Sequence, residues 1–327
     1  MNGCRGFSAE ETGMKFVAVE PLGVEEETLR KMAERALPDG AEIVLYDTRT
    51  TDAGELIRRG KDADVIAAAN LPLSAEVIDG CEKLKLLSVA FTGVDHIALD
   101  ACRRNGVMVC NSAGYSTAAV ADLVFGMLIA LERKLVDCDK AARTGKAGNG
   151  LVGNELEGKT FGVVGTGAIG RRVARIAAAF GCEVLAYSRT KKELPEVRYT
   201  ELPELLAACD IISLHVPLTD GTRGMIGEKE LGMMKRGAVL VNTARGPIVD
   251  GAALARALRG GKLGGAAVDV FDSEPPLAED EPLLHAPHTL LAPHVGFATQ
   301  EALLKRAVIA MENVAKWLAG TPQNRII

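Results

Sequence analysis

Three ionisable residues stand out by type and position: Arg245 follows the apolar run AVLVNTA, Glu274 follows GAAVDVF, and His294 follows TLLAP. Each run is short, apolar and rich in β-branched or small residues, which is how a buried strand reads, so each ionisable residue is expected at a strand's carboxyl end. In an open α/β sheet the ligand crevice lies outside those ends, where residues distant in sequence converge. A guanidinium, a carboxylate and an imidazole meeting there suit chemistry at C2 of a 2-keto or 2-hydroxy acid. His294 as imidazolium can give a proton to a developing alkoxide, and as the neutral ring can take one back. Glu274 beside it would favour the protonated ring and fix its orientation. Arg245 offers a fork of donors to a carboxylate or carbonyl oxygen. Taken singly, each has a plainer reading: a structural histidine, an arginine at a strand end, a turn carboxylate before Pro275 and Pro276. A metal reading of His285, His288 and His294 is rejected, because the first two surround Pro287 without helical ligand spacing and no cysteine lies nearby.

A second motif makes the set stronger. Gly165, Gly167 and Gly170 form GTGAIG directly after the strand FGVV and at the opening of a helix expected from Ile169 to Phe180. Glycines in that context allow a tight turn, close backbone approach to a pyrophosphate and close helix-to-strand packing, with the helix amides facing the anion. At the end of the next strand, EVLAYS, a site for NAD usually offers an acid to the ribose hydroxyls. Here Ser188, Arg189 and Thr190 stand there with Lys191 and Lys192 behind them, which favours NADP and leaves NAD possible.

The elements that would position these residues fall into two series. From Met14 the runs KFVAVE, EIVLYD, ADVIAAA, KLLSVA and GVMVCN alternate with amphipathic stretches, as successive β-α units do. An apolar helix follows, roughly Ser116 to Lys134, hydrophobic on nearly every face and so buried in its own domain or against another subunit. After the polar stretch Thr144 to Gly153, six further runs (TFGVVG, EVLAYS, DIISLHV, AVLVNTA, GAAVDVF, TLLAPH) suit a dinucleotide-binding sheet. The last helix, Gln300 to Ala319, exceeds what that sheet needs and is expected to cross back onto the first series. The expected fold is α/β with two doubly wound parallel-sheet domains. A Rossmann cofactor domain over 113–294 is inserted into a flavodoxin-like substrate domain over 14–112 and 295–327.

Bulk properties narrow the class. With 327 residues, two domains are the better prior, and 48% hydrophobic residues with 35 glycines suit an α/β globule rather than a disordered chain. The net charge of -5, with scattered basic residues, disfavours nucleic acid as a partner. Seven cysteines without a C-x-x-C pair suit a reducing cytosol, hence a cytoplasmic protein. The longest apolar stretch, Ala118 to Leu131, is interrupted by Asp122 and falls short of the roughly 20 residues of a membrane span. The first thirteen residues lack the apolar core of a secretory signal and read as a loose tail.

The segments VVGTGAIGRRVA, DIISLHVPLTDGTRGMI, MMKRGAVLVNTARGPIVDGAALARAL, GAAVDVFDSEPP and LLAPHVGFATQEA, with FTGVDHI and NSAGYSTAAVADL upstream, resemble the D-isomer-specific 2-hydroxyacid dehydrogenases. The resemblance covers most of the chain from about residue 69 and implies a hydride transfer between NAD(P)H and C2 of a small 2-keto or D-2-hydroxy acid. It implies that Arg245 orients the substrate, that Glu274 pairs with the histidine and that His294 is the acid/base. It further implies cofactor contacts from Thr166, Ala168, Ile169, His215, Val216, Pro217, Thr222 and Gly296, with Thr243 and Ala244 beside the nicotinamide and Asp269 on its carboxamide. Phe91, Thr92 and Gly93 resemble the loop whose amides receive the substrate carboxylate. Leu71, Asn70 and Phe297 join Phe91 as the expected specificity residues. The resemblance also implies a homodimer joined through the cofactor domains, with the Ser116 to Lys134 helix at the contact.

Ser188-Arg189 resembles the NADP-using glyoxylate and hydroxypyruvate reductases of the family, and Asp122 stands where many members carry glutamate. A phosphoglycerate-type dehydrogenase is a lesser alternative, since the chain ends at Ile327 without the regulatory tail of many such enzymes. A nicotinamide-sensing, corepressor-like interaction protein is the alternative from another class. A methyltransferase with a related glycine loop would leave Arg245, Glu274 and His294 without a role.

Overall fold

The computed structural model describes residues 13–273 and 276–327. Glu274 and most of the leading segment read as a tail lie outside the described residues. The chain divides into two compact units, one running to Ser116 and resuming at Ala298–Ile327, the other formed by Thr117–Phe297.

The first unit alternates β1 (Lys15–Ala18), α1 (Glu26–Ala36), β2 (Glu42–Leu45), α2 (Ala53–Gly60), β3 (Val65–Ala68), α3 (Ala75–Asp79), β4 (Leu86–Val89), α4 (Leu99–Arg104) and β5 (Met108–Asn111). Its five strands are parallel in the order β2-β1-β3-β4-β5, the flavodoxin-like winding. Every residue of β3 and β4 is buried, as expected for parallel strands covered by helices on both faces.

The second unit contains α5 (Thr117–Glu132), α6 (Leu135–Arg143), β6 (Thr160–Val164), α7 (Ala168–Ala179), β7 (Glu183–Tyr187), β8 (Val197–Tyr199) and α8 (Leu202–Ala208). It continues with β9 (Ile211–Leu214), α9 (Glu228–Met233), β10 (Val239–Asn242), α10 (Gly251–Arg259), β11 (Gly265–Val268) and β12 (Thr289–Leu291). Seven parallel strands lie in the order β12-β11-β10-β9-β6-β7-β8. The winding reverses between β6 and β9, the switch point at which a doubly wound sheet opens a crevice. Six strands were expected; the seventh, β8, is a three-residue edge strand, VRY, with Arg198 exposed, too short to show a period. The final helix α11 (Gln300–Leu318) belongs to the first unit, where it packs on α1, β4 and β5. Ser88 Oγ donates to the Ala310 carbonyl at 2.8 Å, and Arg306 Nε donates to the Leu22 carbonyl at 2.8 Å.

Helix α5 ends two residues short of the expected Lys134, because Lys134 takes a left-handed φ of 51° and a separate helix, α6, begins behind it. Within its own unit α5 packs on α7, and Phe125 stacks on Phe161 and Phe180 at 5.9 and 5.4 Å. Asp122 faces outward and pairs with Arg172 at 3.8 Å. Helix α6 buries no residue. Among the described residues no helix is long and apolar enough to cross a membrane. The described cysteines are free, and burial pushes the thiols of Cys81, Cys102 and Cys110 up to about 11.

Candidate active site

The glycine loop leaves β6 at the switch point, and its three glycines are held for different reasons. Gly165 has a φ of +99°, and a Cβ there would lie 2.7 Å from the His215 carbonyl oxygen. A Cβ on Gly170 would lie 1.9 Å from the Gly165 carbonyl oxygen, so the start of α7 packs directly on the turn. Gly167 is exposed and a Cβ on it would meet no atom of the chain within 4 Å, so packing within the fold does not demand a glycine there and its face is open to a ligand. Gly167 is also the N-cap of the twelve-residue α7 and has no side chain to cap the first amides. The exposed Ala168 and half-buried Ile169 thus open a helix whose first N–H groups are available to an anion. Thr166 is 2% exposed, and its hydroxyl oxygen accepts the Tyr199 O–H at 3.2 Å.

Across the switch point, β9 is followed by His215, Val216 and Pro217. Val216 packs on the unit's core, and the His215 backbone lies against the glycine turn. His215 Nε2 is 2.9 Å from Ser213 Oγ, and burial of the ring pushes its pKa down to about 3, so it is neutral near pH 7. Thr222 folds the loop that follows: its hydroxyl donates to the Pro217 carbonyl at 2.6 Å and accepts the Thr219 N–H at 2.8 Å. Ser188, Arg189 and Thr190 follow β7 on the same edge, Ser188 half-buried and the other two exposed.

Arg245 and His294 stand on that edge too. Asn242, the last residue of β10 and 2% exposed, staples the loop beyond it: its side chain donates to the Arg245 carbonyl at 3.0 Å and accepts the Ala244 N–H at 3.1 Å. Arg245 is in extended backbone conformation and its Nη1 donates to the Ala244 carbonyl at 2.8 Å. A Cβ on Gly246 would lie 1.9 Å from the Phe271 carbonyl carbon and oxygen, so the Arg245 loop rests on the chain leaving β11. Thr243 is 9% exposed, and its Oγ1 is a buried hydroxyl without a hydrogen-bond partner. Such an atom is costly unless something else satisfies it.

Asp269, 1% exposed just past β11, holds the turn that carries His294. Its backbone carbonyl accepts the His294 N–H at 2.7 Å, and its carboxylate oxygens accept the N–H groups of Val295 and Gly296, each at 2.8 Å. His294 lies in the left-handed region at φ 57°, a strained setting for a non-glycine residue that this grip supports. The His294 ring meets Phe297 edge-on at 5.8 Å.

In the first unit, the residues expected to meet substrate follow the carboxyl ends of β3 and β4. Leu71 is fully buried, and Glu20 Oε1 accepts the N–H groups of Ala69 and Leu71 at 2.7 and 3.1 Å. Burial raises the Glu20 carboxyl above its ordinary range against those two hydrogen bonds and the pull of Arg49. Phe91 is buried against His96 and Tyr115, Thr92 is exposed with its carbonyl accepting Asn111 Nδ2 at 2.6 Å, and Gly93 is half-buried. Tyr199, Asn242, Gly246 and Glu20 carry much of this geometry and were not singled out from the sequence. The position of Gly246 beside Arg245 was the only signal of the four.

An open glycine cradle, uncapped helix amides and an orphaned hydroxyl on the edge that carries His294 define a dinucleotide-binding α/β protein, and the residues fit a nicotinamide cofactor. Residues 125–296 match the model of the D-isomer specific 2-hydroxyacid dehydrogenase NAD binding domain. A glyoxylate reductase of Thermofilum pendens is 37% identical over 297 residues, 87% of each chain. A hydroxypyruvate reductase of Blautia hydrogenotrophica is 33% identical over 86% of this chain and 91% of its own. Among solved structures, the TT0316 protein from Thermus thermophilus superposes with a TM-score of 0.87 at 38% identity, over 96% of this chain and all of that one (100%). An acyclic imino acid reductase, Bsp5, in complex with NADPH and D-Arg superposes with a TM-score of 0.87 at 30% identity, over 96% of this chain and 100% of its own. The chain belongs to the D-isomer-specific 2-hydroxyacid dehydrogenase family, nicotinamide-dependent oxidoreductases acting on CH–OH groups.

Proposed function

We propose that the chain reduces small 2-keto acids, glyoxylate and hydroxypyruvate first, with NADPH preferred over NADH. One observation carries the reading: the glycine loop, Arg245 and the Asp269-held turn of His294 all follow carboxyl ends of one parallel sheet. The names of the two curated relatives agree with it.

When bound, the reduced nicotinamide supplies the hydride for C2. The first amides of α7 and the open face of Gly167 receive the pyrophosphate, and Ser188, Arg189 and Thr190 receive a ribose 2'-phosphate. His215, Val216, Pro217 and the Thr222 loop wall the crevice, and Thr243, Ala244, Asp269 and Gly296 border the nicotinamide, where the Thr243 hydroxyl gains a partner. Arg245 holds the substrate carboxylate or carbonyl oxygen, and in the first unit the amides of Phe91, Thr92 and Gly93 are the candidate anion loop, with Leu71 an expected substrate contact. His294, partnered by Glu274, gives its proton to the carbonyl oxygen as the bond order falls, and takes it back in the oxidative direction.

The test is a panel of glyoxylate, hydroxypyruvate, pyruvate and longer 2-keto acids with NADPH or NADH, followed at the nicotinamide absorbance. The expected result is the highest kcat/KM with glyoxylate or hydroxypyruvate and NADPH. Tight cofactor binding without turnover on any acid would favour the nicotinamide-sensing interaction protein instead. Preference for NADH would overturn the cofactor assignment alone.

The same reading makes the chain a homodimer through this unit. Its support is a set of exposed apolar side chains at the start of α6 and in the stretch after it: Leu135, Val136 and Val152 are 48%, 61% and 81% exposed, and Glu132, the last residue of α5, has a buried Oε2 without a partner. A monomeric mass in sedimentation equilibrium at micromolar concentration would overturn it.

A further inference from the structure

The Tyr199 hydroxyl joins two loops that leave different strands. It accepts the Lys192 N–H at 3.0 Å and donates to Thr166 Oγ1 at 3.2 Å. Thr166 is the buried second residue of the glycine loop after β6, and Lys192 ends the basic run that follows β7. Strand β8 brings Tyr199 there: its register opposes Tyr199 to Ala186, and the Thr200 N–H bonds the Ala186 carbonyl at 2.9 Å. The first residue of the glycine loop is tied to the same place, since the Gly165 N–H bonds the Tyr187 carbonyl at 2.7 Å. The bridge uses one oxygen as both acceptor and donor, which a phenol provides and a phenyl ring cannot.

We propose that Tyr199 is a positioning residue for the cofactor, fixing the 188–192 loop against the glycine loop and thereby the discrimination between a 2'-phosphate and a 2'-hydroxyl on the adenosine ribose. The proposal rests on the reading that these two loops receive the pyrophosphate and the ribose. Tyr199 itself needs no contact with the cofactor. It sets the distance between two binding loops, so its loss changes one cofactor more than the other.

The experiment uses full-length Tyr199→Phe, with Thr166→Val removing the other end of the bridge. In Tyr199→Phe the ratio of kcat/KM for NADPH over NADH shifts about fivefold or more. The KM for the keto acid and kcat at saturating cofactor stay at wild-type values. Thr166→Val shifts the ratio in the same direction, and the double variant shifts it no further than the larger single change. A merely structural tyrosine would lower Tm or weaken both cofactors equally, and either result with an unmoved ratio overturns the proposal. So does a double variant whose shift is the product of the two. A wild-type enzyme preferring NADH would overturn the NADP assignment and leave this test intact, because the test reads the change in ratio and not its starting side.

Discussion

Asp269 grips the turn of His294 from three sides: its own carbonyl takes the His294 N–H, and its two carboxylate oxygens take the N–H groups of Val295 and Gly296. The two residues stand beyond neighbouring parallel strands, β11 and β12, so a buried carboxylate on one strand exit sets the backbone of the imidazole on the next. The left-handed φ of His294 is the conformation that this grip selects.

Asp269→Asn would set an amide NH2 against one of the two N–H groups, replacing an attraction with an unsatisfied donor pair. The expected cost is about 1–3 kcal/mol of stability. A fall in kcat/KM of about tenfold or more accompanies it, because the turn no longer presents His294 correctly. Thermal unfolding and steady-state kinetics measured together check this. A variant as active and as stable as wild type would show that the grip is incidental.

His294→Ala removes the proton donor and leaves the glycine loop untouched. Turnover should fall by about 10²- to 10⁴-fold, with the dissociation constant for NADPH changed by less than about threefold. Fluorescence titration of the cofactor, beside single-turnover rates, separates the two effects. Collapse of cofactor binding with turnover per bound complex preserved would remove His294 from the acid/base role.

Ser188→Asp places a carboxylate where a 2'-phosphate would arrive and where ribose hydroxyls can use it. The ratio of kcat/KM for NADPH over NADH is expected to fall by about tenfold or more, corresponding to the loss of one charge-assisted contact and the gain of a repulsion. An unchanged ratio would make Arg189, Lys191 and Lys192 a solvated basic run with no part in cofactor choice.

The pH dependence of stability has a definite sign at His215. Its ring is held neutral, with a folded pKa of about 3 against an ordinary 6.5. The stabilisation is complete above about pH 6.5 and is lost as pH falls toward the folded value, an effect on the order of a few kcal/mol. His215→Gln removes the titrating group, so its unfolding midpoint should decline less steeply between pH 6.5 and 4 than that of the wild-type chain. Parallel declines would assign the acid sensitivity elsewhere.

Much of the site was legible in the sequence because its residues follow short apolar runs. Arg245 and Asp269 sit just past the buried strands β10 and β11 and His294 just past the half-buried edge strand β12, and a parallel sheet puts all such positions on one edge. The glycine loop was legible for the same reason, from its place between a strand and a helix. Residues whose role depends on what lies opposite them in space were not legible. Glu20 reads as one more charge after a strand, and only the fold brings the amides of Ala69 and Leu71 to it. Tyr199 lies in a three-residue edge strand without a period of its own. Helix α6 was missed because Lys134 breaks one helix and starts another with no proline or glycine to mark the junction.

Gly167 and Gly246 separate the two uses of glycine on this edge. A Cβ on Gly246 would overlap the Phe271 backbone at 1.9 Å, where no rotamer change relieves it, so Gly246→Ala must displace the Arg245 loop or the chain beyond β11. It should lose about 1–3 kcal/mol of stability together with most of its turnover. A Cβ on Gly167 would meet nothing in the chain within 4 Å, and the residue's φ of -66° suits alanine. Gly167→Ala should therefore keep the wild-type Tm within experimental error, while the KM for NADPH rises by about tenfold, because the added methyl occupies the approach to the pyrophosphate. The contrast is the test: stability falls in one variant and only cofactor affinity in the other. A Gly167→Ala protein that binds NADPH like wild type would mean that the open face of the loop is not where the cofactor lies.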